Sequence, residues 1–190
     1  ATLRAAGSHN PQITLPILGK AGSLNMKDIV YLNGEFININ DAKISVLDRG
    51  FLFADGIYEV IPSFGGKLFR LAQHLKRLKR SLELTDTPMP DVDLERIIKE
   101  CLEKNNSDNG AIYLQITRGA DRARVLLPPA NLKPTLFVAC MSPPVHTIDD
   151  CRHGVSAITT PDFRWHNCHI KAITLLPNVM ARLSAQNHHV

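Results

Sequence analysis

Lys171 is the residue whose type and setting point most directly to chemistry. It lies in a largely apolar run, shortly after the Arg164-Trp165 pair and just before a helix expected from Leu176. Partial desolvation of an ammonium group favours its neutral form, and a neutral amine is a nucleophile that forms Schiff bases with carbonyl compounds. A lysine that extends along apolar surface at a strand end would look the same locally, so the interpretation depends on the rest of the chain.

Three further segments contain residue types suited to binding an anion and a small substrate. They are Asp48–Val60, which includes Tyr58 and Glu59; His74–Leu78, which includes Arg77; and Tyr113–Gly119. An arginine fork matches the oxygens of a phosphate or a carboxylate. Tyr58 and Glu59 are neighbours in a predicted strand, so at most one of them faces a shared ligand.

The cysteines and histidines do not predict a metal site, because they lack the close spacing of metal ligands. The cysteines are spread along the chain, and the paired histidines have no convincing third ligand nearby. The residues concerned are Cys101, Cys140, Cys151, Cys168, His166, His169, His188 and His189. Thiols spaced in this way are typical of reduced, mostly buried cysteines in a cytoplasmic protein.

Composition indicates a globular protein that binds neither a membrane nor a nucleic acid. The chain has 190 residues, of which 44% are hydrophobic and 21% charged. No apolar run approaches the roughly 20 residues of a membrane helix, and the N-terminus lacks the order of a secretory signal. The net charge of +4 is modest. Its basic cluster at residues 76–80 fits the exposed face of a helix.

The elements that must position these segments form an alternation of strands and helices. An Asn33-Gly34 turn between apolar runs predicts a β-hairpin, and leucines at helical spacing from Leu71 to Leu82 predict an amphipathic helix. The remaining predicted elements are the strand Tyr58–Phe64, its return Lys67–Phe69, a helix from Asp91 to the Asn-rich stretch before Gly110, and the strands Ala111–Arg118 and Thr135–Met141.

These elements predict an α+β fold with a small antiparallel-sheet domain and two helices. This domain spans residues 26–141, and residues 1–25 form an unassigned tail or extension. Ser142-Pro143-Pro144 is the predicted boundary. Residues 142–190 then hold a linker and the incomplete start of a larger domain, with a strand at Gly154–Thr160 and a helix at Leu176–Gln186.

In their order and spacing, the four segments resemble the class IV (fold type IV) pyridoxal phosphate (PLP) enzymes, and most closely the D-amino acid aminotransferases. The resemblance runs from about Lys27 to Val190. It implies PLP as cofactor, an amino acid and a 2-oxo acid as substrates, and a homodimer. It also implies that the larger, PLP-binding domain is truncated here and that the chain as given is incomplete for activity.

The resemblance assigns roles to individual residues. Lys171 corresponds to the Schiff-base lysine, which also moves the proton between the substrate α-carbon and the cofactor. Arg77 lies in the family's His-x-x-Arg-Leu motif and corresponds to a ligand of the cofactor phosphate. Tyr58 corresponds to the active-site tyrosine near cofactor and substrate.

The chain departs from the family pattern in two places. The Arg-x-His trap for the substrate carboxylate falls on Ala123 and Val125, so the flanking Arg122 and Arg124 are the candidate substrate ligands. The acidic partner of the pyridine nitrogen is expected beyond Val190.

The leading hypothesis is therefore a PLP-dependent aminotransferase of the D-amino acid type. Aminodeoxychorismate lyase is the main alternative, because the Arg-x-His trap is missing. A branched-chain aminotransferase and a non-catalytic, truncated family member are further alternatives.

Overall fold

A six-stranded antiparallel sheet forms the body of the protein. The structure is a computed structural model and describes residues 26–142, 152, 154 and 156–188. The strands are β1 (Met26–Leu32), β2 (Glu35–Asn38), β3 (Gly56–Phe64), β4 (Lys67–Leu68), β5 (Gly110–Thr117) and β6 (Thr135–Met141). Their order in the sheet is β2-β1-β6-β5-β3-β4, so the longest strand, β3, lies next to a two-residue edge strand.

The sheet is accompanied by helices α1 (Arg49–Phe53), α2 (Leu71–Leu84), α3 (Leu94–Lys104) and α4 (Leu176–Asn187). Asp93 caps α3, since its side chain accepts a hydrogen bond from the Arg96 amide at 3.0 Å. Pro177 lies in the first turn of α4, where its missing N–H costs no helical hydrogen bond. None of the helices in the described residues is long and apolar enough to span a membrane.

Helices α2 and α3 cover one face of the sheet and enclose the hydrophobic core. Alternate residues of the strands point into this core, as the two-residue period of a strand requires. The helices contribute the side chains that follow their 3.6-residue period. The core includes Ile57, Ile61, Leu78, Leu82, Ile97, Ile98, Cys101, Ile112, Leu114, Ile116, Leu136, Val138 and Cys140.

The opposite face of the sheet carries a row of aromatic side chains. Tyr58 stacks on Tyr113 with ring centroids 5.8 Å apart, and Tyr113 lies 6.3 Å from Phe137. The Tyr113 hydroxyl donates to Gln115 Oε1 at 2.6 Å. Burial raises the pKa of Tyr113 to about 12, so this phenol stays protonated at neutral pH.

The predicted α+β fold is confirmed, with the hairpin, the paired strands and the helices close to their expected positions. The short helix α1 was not predicted, because its five residues are too few to show a helical period. The strand predicted at Gly154–Thr160 is wrong for the residues of it that the structure describes. Residues 154 and 156–160 are exposed and pair with no strand in the described part of the chain, and a strand needs a partner to satisfy its backbone.

Two other predictions are only partly covered by the described residues. Cys101 and Cys140 are buried as expected, whereas Cys168 is exposed and Cys151 lies outside the described residues. The boundary residues Pro143 and Pro144 also lie outside them. The division at residues 141–142 therefore stays a prediction.

Candidate active site

The Lys171 segment lies along the open edge of β3. Strand β4 pairs with β3 at Ser63 and Phe64, which leaves the first half of that edge available. There the Tyr58 amide donates to the Lys171 carbonyl at 3.0 Å, and the Ile173 amide donates to the Gly56 carbonyl at 3.0 Å. This short antiparallel contact fixes the backbone of Lys171 beside Tyr58.

The side chains of Lys171 and Tyr58 meet directly. Lys171 Nζ lies 4.0 Å from the centroid of the Tyr58 ring, and both residues are half-buried. The face of a tyrosine ring attracts a cation at this distance. The Lys171 amine is thereby held at a defined position at the rim of the sheet while it remains accessible.

A buried carboxylate lies on the other face of β3. The side chain of Glu59 is 0% exposed and accepts two hydrogen bonds from Arg77, from Nε and from Nη2, both at 2.6 Å. His74 Nδ1 lies 2.8 Å from Glu59 Oε2. His74 and Arg77 share one face of α2 because they are three residues apart, so one helix supplies both partners of Glu59.

The ion pair between Glu59 and Arg77 leaves part of the Arg77 guanidinium accessible. The side chain of Arg77 is 47% exposed, and Nη1 takes no part in its two bonds to Glu59. The hydrogen bond to Glu59 raises the pKa of Arg77 above its already high ordinary value, so the group is a permanent cation. A fixed, half-exposed guanidinium of this kind can bind a phosphate or a carboxylate.

Helix α2 also brings Arg77 close to the Lys171 segment. Ser81 is buried on α2, and the Lys171 amide lies 3.4 Å from its Oγ. Ser81 follows Arg77 by four residues, just over one helical turn and a rise of about 6 Å. Lys171, Tyr58 and Arg77 are thus grouped around the first half of β3.

The two arginines expected to bind substrate lie elsewhere, on the loop of residues 118–134 between β5 and β6. Arg122 and Arg124 are both exposed. The Arg124 guanidinium carbon lies 5.1 Å from the centroid of the Phe53 ring. The structure therefore places the Arg124 guanidinium against α1.

In the segment that begins at Asp48, the sequence assigned a role to Tyr58 but none to Asp48 itself. Asp48 is buried and accepts hydrogen bonds from the Gly50 amide at 2.7 Å, from Thr117 Oγ1 at 2.9 Å and from Thr135 Oγ1 at 2.7 Å. It joins α1 to the facing ends of β5 and β6. The two threonines stand far along the chain from Asp48, so no local spacing could have indicated these contacts.

Glu59 and His74 also lie in the motif segments, but the sequence predicted no role for them in the site. A glutamate between apolar residues of a strand could have signalled a buried partner, because an ionised carboxylate is rarely buried alone. In the described residues, no group of three or more His, Cys, Asp or Glu side chains is placed to hold a metal ion.

The family model for amino-transferase class IV matches residues 56–190, which contain all the site residues around β3. The chain belongs to the class IV aminotransferase family. Over 155 residues it is 41% identical to a D-alanine aminotransferase from Staphylococcus epidermidis, and this match covers 80% of the chain. The chain spans about 55% of the length of that relative.

Solved class IV structures share the fold. A branched-chain amino acid aminotransferase from Escherichia coli is 22% identical, with a TM-score of 0.68 over 83% of this chain and 55% of that one. The 4-amino-4-deoxychorismate lyase from Pseudomonas aeruginosa is 22% identical, with a TM-score of 0.67 over 81% of this chain and 56% of that one. The resemblance drawn from the sequence motifs is thus confirmed at the level of family and fold.

Proposed function

We propose that the full-length protein catalyses PLP-dependent transamination between a D-amino acid and a 2-oxo acid. The observation that carries the proposal is the position of the Lys171 amine, 4.0 Å from the Tyr58 ring and on a segment that contacts α2 one turn from Arg77. The 41% identity to a D-alanine aminotransferase supports the substrate class.

The residues present fit PLP. The cofactor supplies an aldehyde that condenses with an amine and a pyridine ring that withdraws electrons from the bonds of the attached substrate. Lys171 is the amine for covalent attachment. The half-exposed Arg77 cation, fixed by Glu59, is the ligand for the phosphate.

Lys171 has a second role as the acid–base group. With PLP bound, the Lys171 amine would be the group that takes up and moves the proton of the substrate α-carbon. Tyr58 keeps this amine in place through its ring face. Its hydroxyl, on the same side chain, is available to hydrogen-bond near the cofactor and the substrate.

Arg124 is the better candidate of the two loop arginines for the substrate carboxylate. Its guanidinium is already positioned against Phe53, so less conformational entropy is lost when it binds an anion. Arg122 is the second candidate on the same loop. We further propose that the protein is a cytoplasmic homodimer.

The first test is covalent labelling of the full-length protein. On incubation with PLP, we expect a new visible absorbance band, and borohydride should then attach the cofactor irreversibly to the peptide that contains Lys171. Lys171→Ala should abolish the band, whereas Lys67→Ala, a change of an exposed lysine on β4, should not. A full-length protein that forms no band would exclude every PLP-dependent function.

A second test measures the contribution of Arg77 to PLP binding. Arg77→Gln should weaken PLP binding by about tenfold or more, because it removes a charge-assisted contact to the phosphate. Lys76→Gln changes the neighbouring exposed charge and is the matched control. Equal PLP affinity in wild type and Arg77→Gln would remove Arg77 from the site.

Aminodeoxychorismate lyase remains the second candidate because Ala123 and Val125 occupy the positions of the Arg-x-His trap. The two activities differ in their need for a second substrate. An aminotransferase converts D-alanine and 2-oxoglutarate to pyruvate and glutamate, whereas the lyase releases pyruvate from aminodeoxychorismate without an added 2-oxo acid. Pyruvate formation in only the second assay would replace the proposed activity by the alternative.

A further inference from the structure

Arg49, the first residue of α1, is a buried cation whose hydrogen bonds all reach other parts of the chain. Its side chain is 4% exposed. Nε donates to Asp55 Oδ2 at 2.9 Å, Nη1 to the Val125 carbonyl at 2.7 Å and Nη2 to the Leu126 carbonyl at 2.7 Å. The fork of the guanidinium thus binds two successive carbonyls of the 118–134 loop.

At its tip, the 118–134 loop is fixed little by the packing of its own side chains. Leu126 and Leu127 are 81% and 83% exposed, so their side chains contribute almost no burial in the described residues. Backbone contacts therefore determine the conformation of the loop tip. Two charge-assisted hydrogen bonds from a rigid planar group define both the position and the direction of the chain at Val125 and Leu126.

Asp55 balances the charge of Arg49 and connects it to a second arginine. Asp55 Oδ2 also accepts from Arg118 Nε at 2.8 Å. Arg118 in turn donates to the carbonyls of Asp86 at 2.6 Å and Thr85 at 2.7 Å, at the end of α2. One carboxylate thereby ties the loop tip, the start of the loop and the helix that carries Arg77 into one network.

The same network contacts the side chain of a candidate substrate ligand. The Arg49 guanidinium lies 4.8 Å from the centroid of Phe53, and that of Arg124 lies 5.1 Å from it. Arg124 is the residue directly before Val125, the first carbonyl held by Arg49. The backbone next to Arg124 and the ring against its guanidinium are therefore both fixed by contact with Arg49.

We propose that Arg49, with Asp55 as its counter-ion, is a positioning residue for substrate binding. It holds the 118–134 loop in the conformation that presents Arg122 and Arg124 to the substrate carboxylate. This inference rests on the proposed function, because the loop matters to substrate only if the protein binds an amino acid. Arg49 itself touches neither cofactor nor substrate. A small displacement of a binding group is enough to weaken substrate binding severely.

The test compares wild type, Arg49→Lys and Arg49→Met in the full-length holoenzyme. The KM for D-alanine should rise by about tenfold or more in Arg49→Met, with kcat reduced less than about threefold and the visible PLP band unchanged. Arg49→Lys keeps the charge near Asp55 but cannot bind two carbonyls with a planar fork, so its KM should lie between the other two. Arg96→Met, at an exposed position of α3, is the matched control and should behave as wild type.

A second readout is independent of activity. Trypsin cuts after Arg122 and Arg124, and cleavage of a folded loop requires local unfolding. At a temperature where all variants remain folded, cleavage in this loop should be about fivefold or more faster in Arg49→Met than in wild type or Arg96→Met. If Arg49→Met does not fold, the comparison of Arg49→Lys with wild type decides the result.

Unchanged cleavage and unchanged KM in a folded Arg49 variant would overturn the proposal, as would a fall in kcat with no change in KM. If wild type lacks transaminase activity, the proposed function fails, and the cleavage rates still decide whether Arg49 fixes the loop.

Discussion

Two carboxylate–arginine clusters lie at either end of the first half of β3, and they use their arginines in opposite ways. Glu59 is 0% exposed and binds an arginine, Arg77, that is 47% exposed. Asp55 is 19% exposed and binds two arginines, Arg49 and Arg118, that are only 4% and 11% exposed. In the first cluster the anion is buried and the cation faces outward; in the second the cations are buried.

The two clusters differ in the groups to which their arginines donate hydrogen bonds. The donors of Arg49 and Arg118 are directed to backbone carbonyls and to Asp55, so these arginines fix the chain. Arg77 uses Nε and Nη2 on Glu59 and keeps Nη1 outside this pair, on a side chain that is 47% exposed. If Arg77 binds the cofactor phosphate as proposed, a buried carboxylate beneath an accessible arginine is the arrangement of this anion site.

The largest effect on stability is expected from the first cluster. Arg77→Ala removes the main partner of a fully buried carboxylate and should lower the free energy of unfolding by about 3 kcal/mol. Urea denaturation of the full-length protein measures this change. Lys76→Ala, at an exposed neighbouring position, should stay within about 0.5 kcal/mol of wild type.

A double substitution shows whether the unpaired charge is the cause. Adding Glu59→Gln to Arg77→Ala removes the buried charge and should recover more than half of the lost stability. A double variant less stable than Arg77→Ala alone would mean that Glu59 stabilises the fold by other contacts.

The next largest loss of stability is expected from replacing a glycine at the start of the 118–134 loop. Gly119 has a φ of +101°, and a Cβ there would collide with the Lys133 carbonyl oxygen. Gly119→Ala should therefore lower the free energy of unfolding by about 2 kcal/mol. Gly34 has a φ of +120° with open space around it, so Gly34→Ala carries the strain without the collision. Equal losses in the two variants would show that Lys133 and the loop simply move aside.

A substitution of Asp55, in the second cluster, should lower the free energy of unfolding by a smaller amount, and this loss should depend on pH. Burial pushes the pKa of Asp55 up, but the hydrogen bonds from Arg118 and Arg49 outweigh it and hold the pKa below its ordinary value. Asp55→Asn should lower the free energy of unfolding by about 1–2 kcal/mol at pH 7, as expected for hydrogen bonds to a charged group.

The sign of the pH effect follows from the lowered pKa. The ionised carboxylate contributes its full stability above the unfolded pKa of about 3.9, and this contribution is lost as the pH falls through the lower folded pKa. The difference between wild type and Asp55→Asn should therefore shrink below about pH 4. Unfolding curves at several pH values measure it, and a constant difference down to pH 2 would contradict the role given to Asp55.

The smallest effect is expected from an ion pair on the surface. Lys79 Nζ lies 3.9 Å from Glu83 on α2, and both side chains are mostly exposed. Water and salt screen such pairs, so Lys79→Ala should change the free energy of unfolding by less than about 0.5 kcal/mol. A loss as large as that of Asp55→Asn would remove the contrast between buried and exposed pairs.

Much of the fold could be predicted because its signals are local. The Asn33-Gly34 turn gave the hairpin, and the leucines from Leu71 to Leu82 gave α2. Two elements were not predicted correctly, the helix α1 and the strand at 154–160. Helix α1 is too short to show a period. Residues 156–160 include the β-branched side chains that are typical of strands, although no partner strand for them lies in the described residues.

The candidate site was predicted in part. Lys171, Tyr58 and Arg77 were named, and the structure groups them around β3. The roles of Glu59 and Arg49 could not be predicted, because their hydrogen-bond partners come from other elements of the fold.

The sequence by itself determined the family, the alternation of the strands and the stripes of the helices, since each depends on residue types at short, fixed spacings. Only the tertiary structure decided that Lys171 lies over Tyr58 and that Arg77 covers the buried Glu59. It also decided that Arg49 holds the carbonyls of a distant loop. These contacts join residues that no local period relates, and they form only when the packed sheet and helices bring their backbones together.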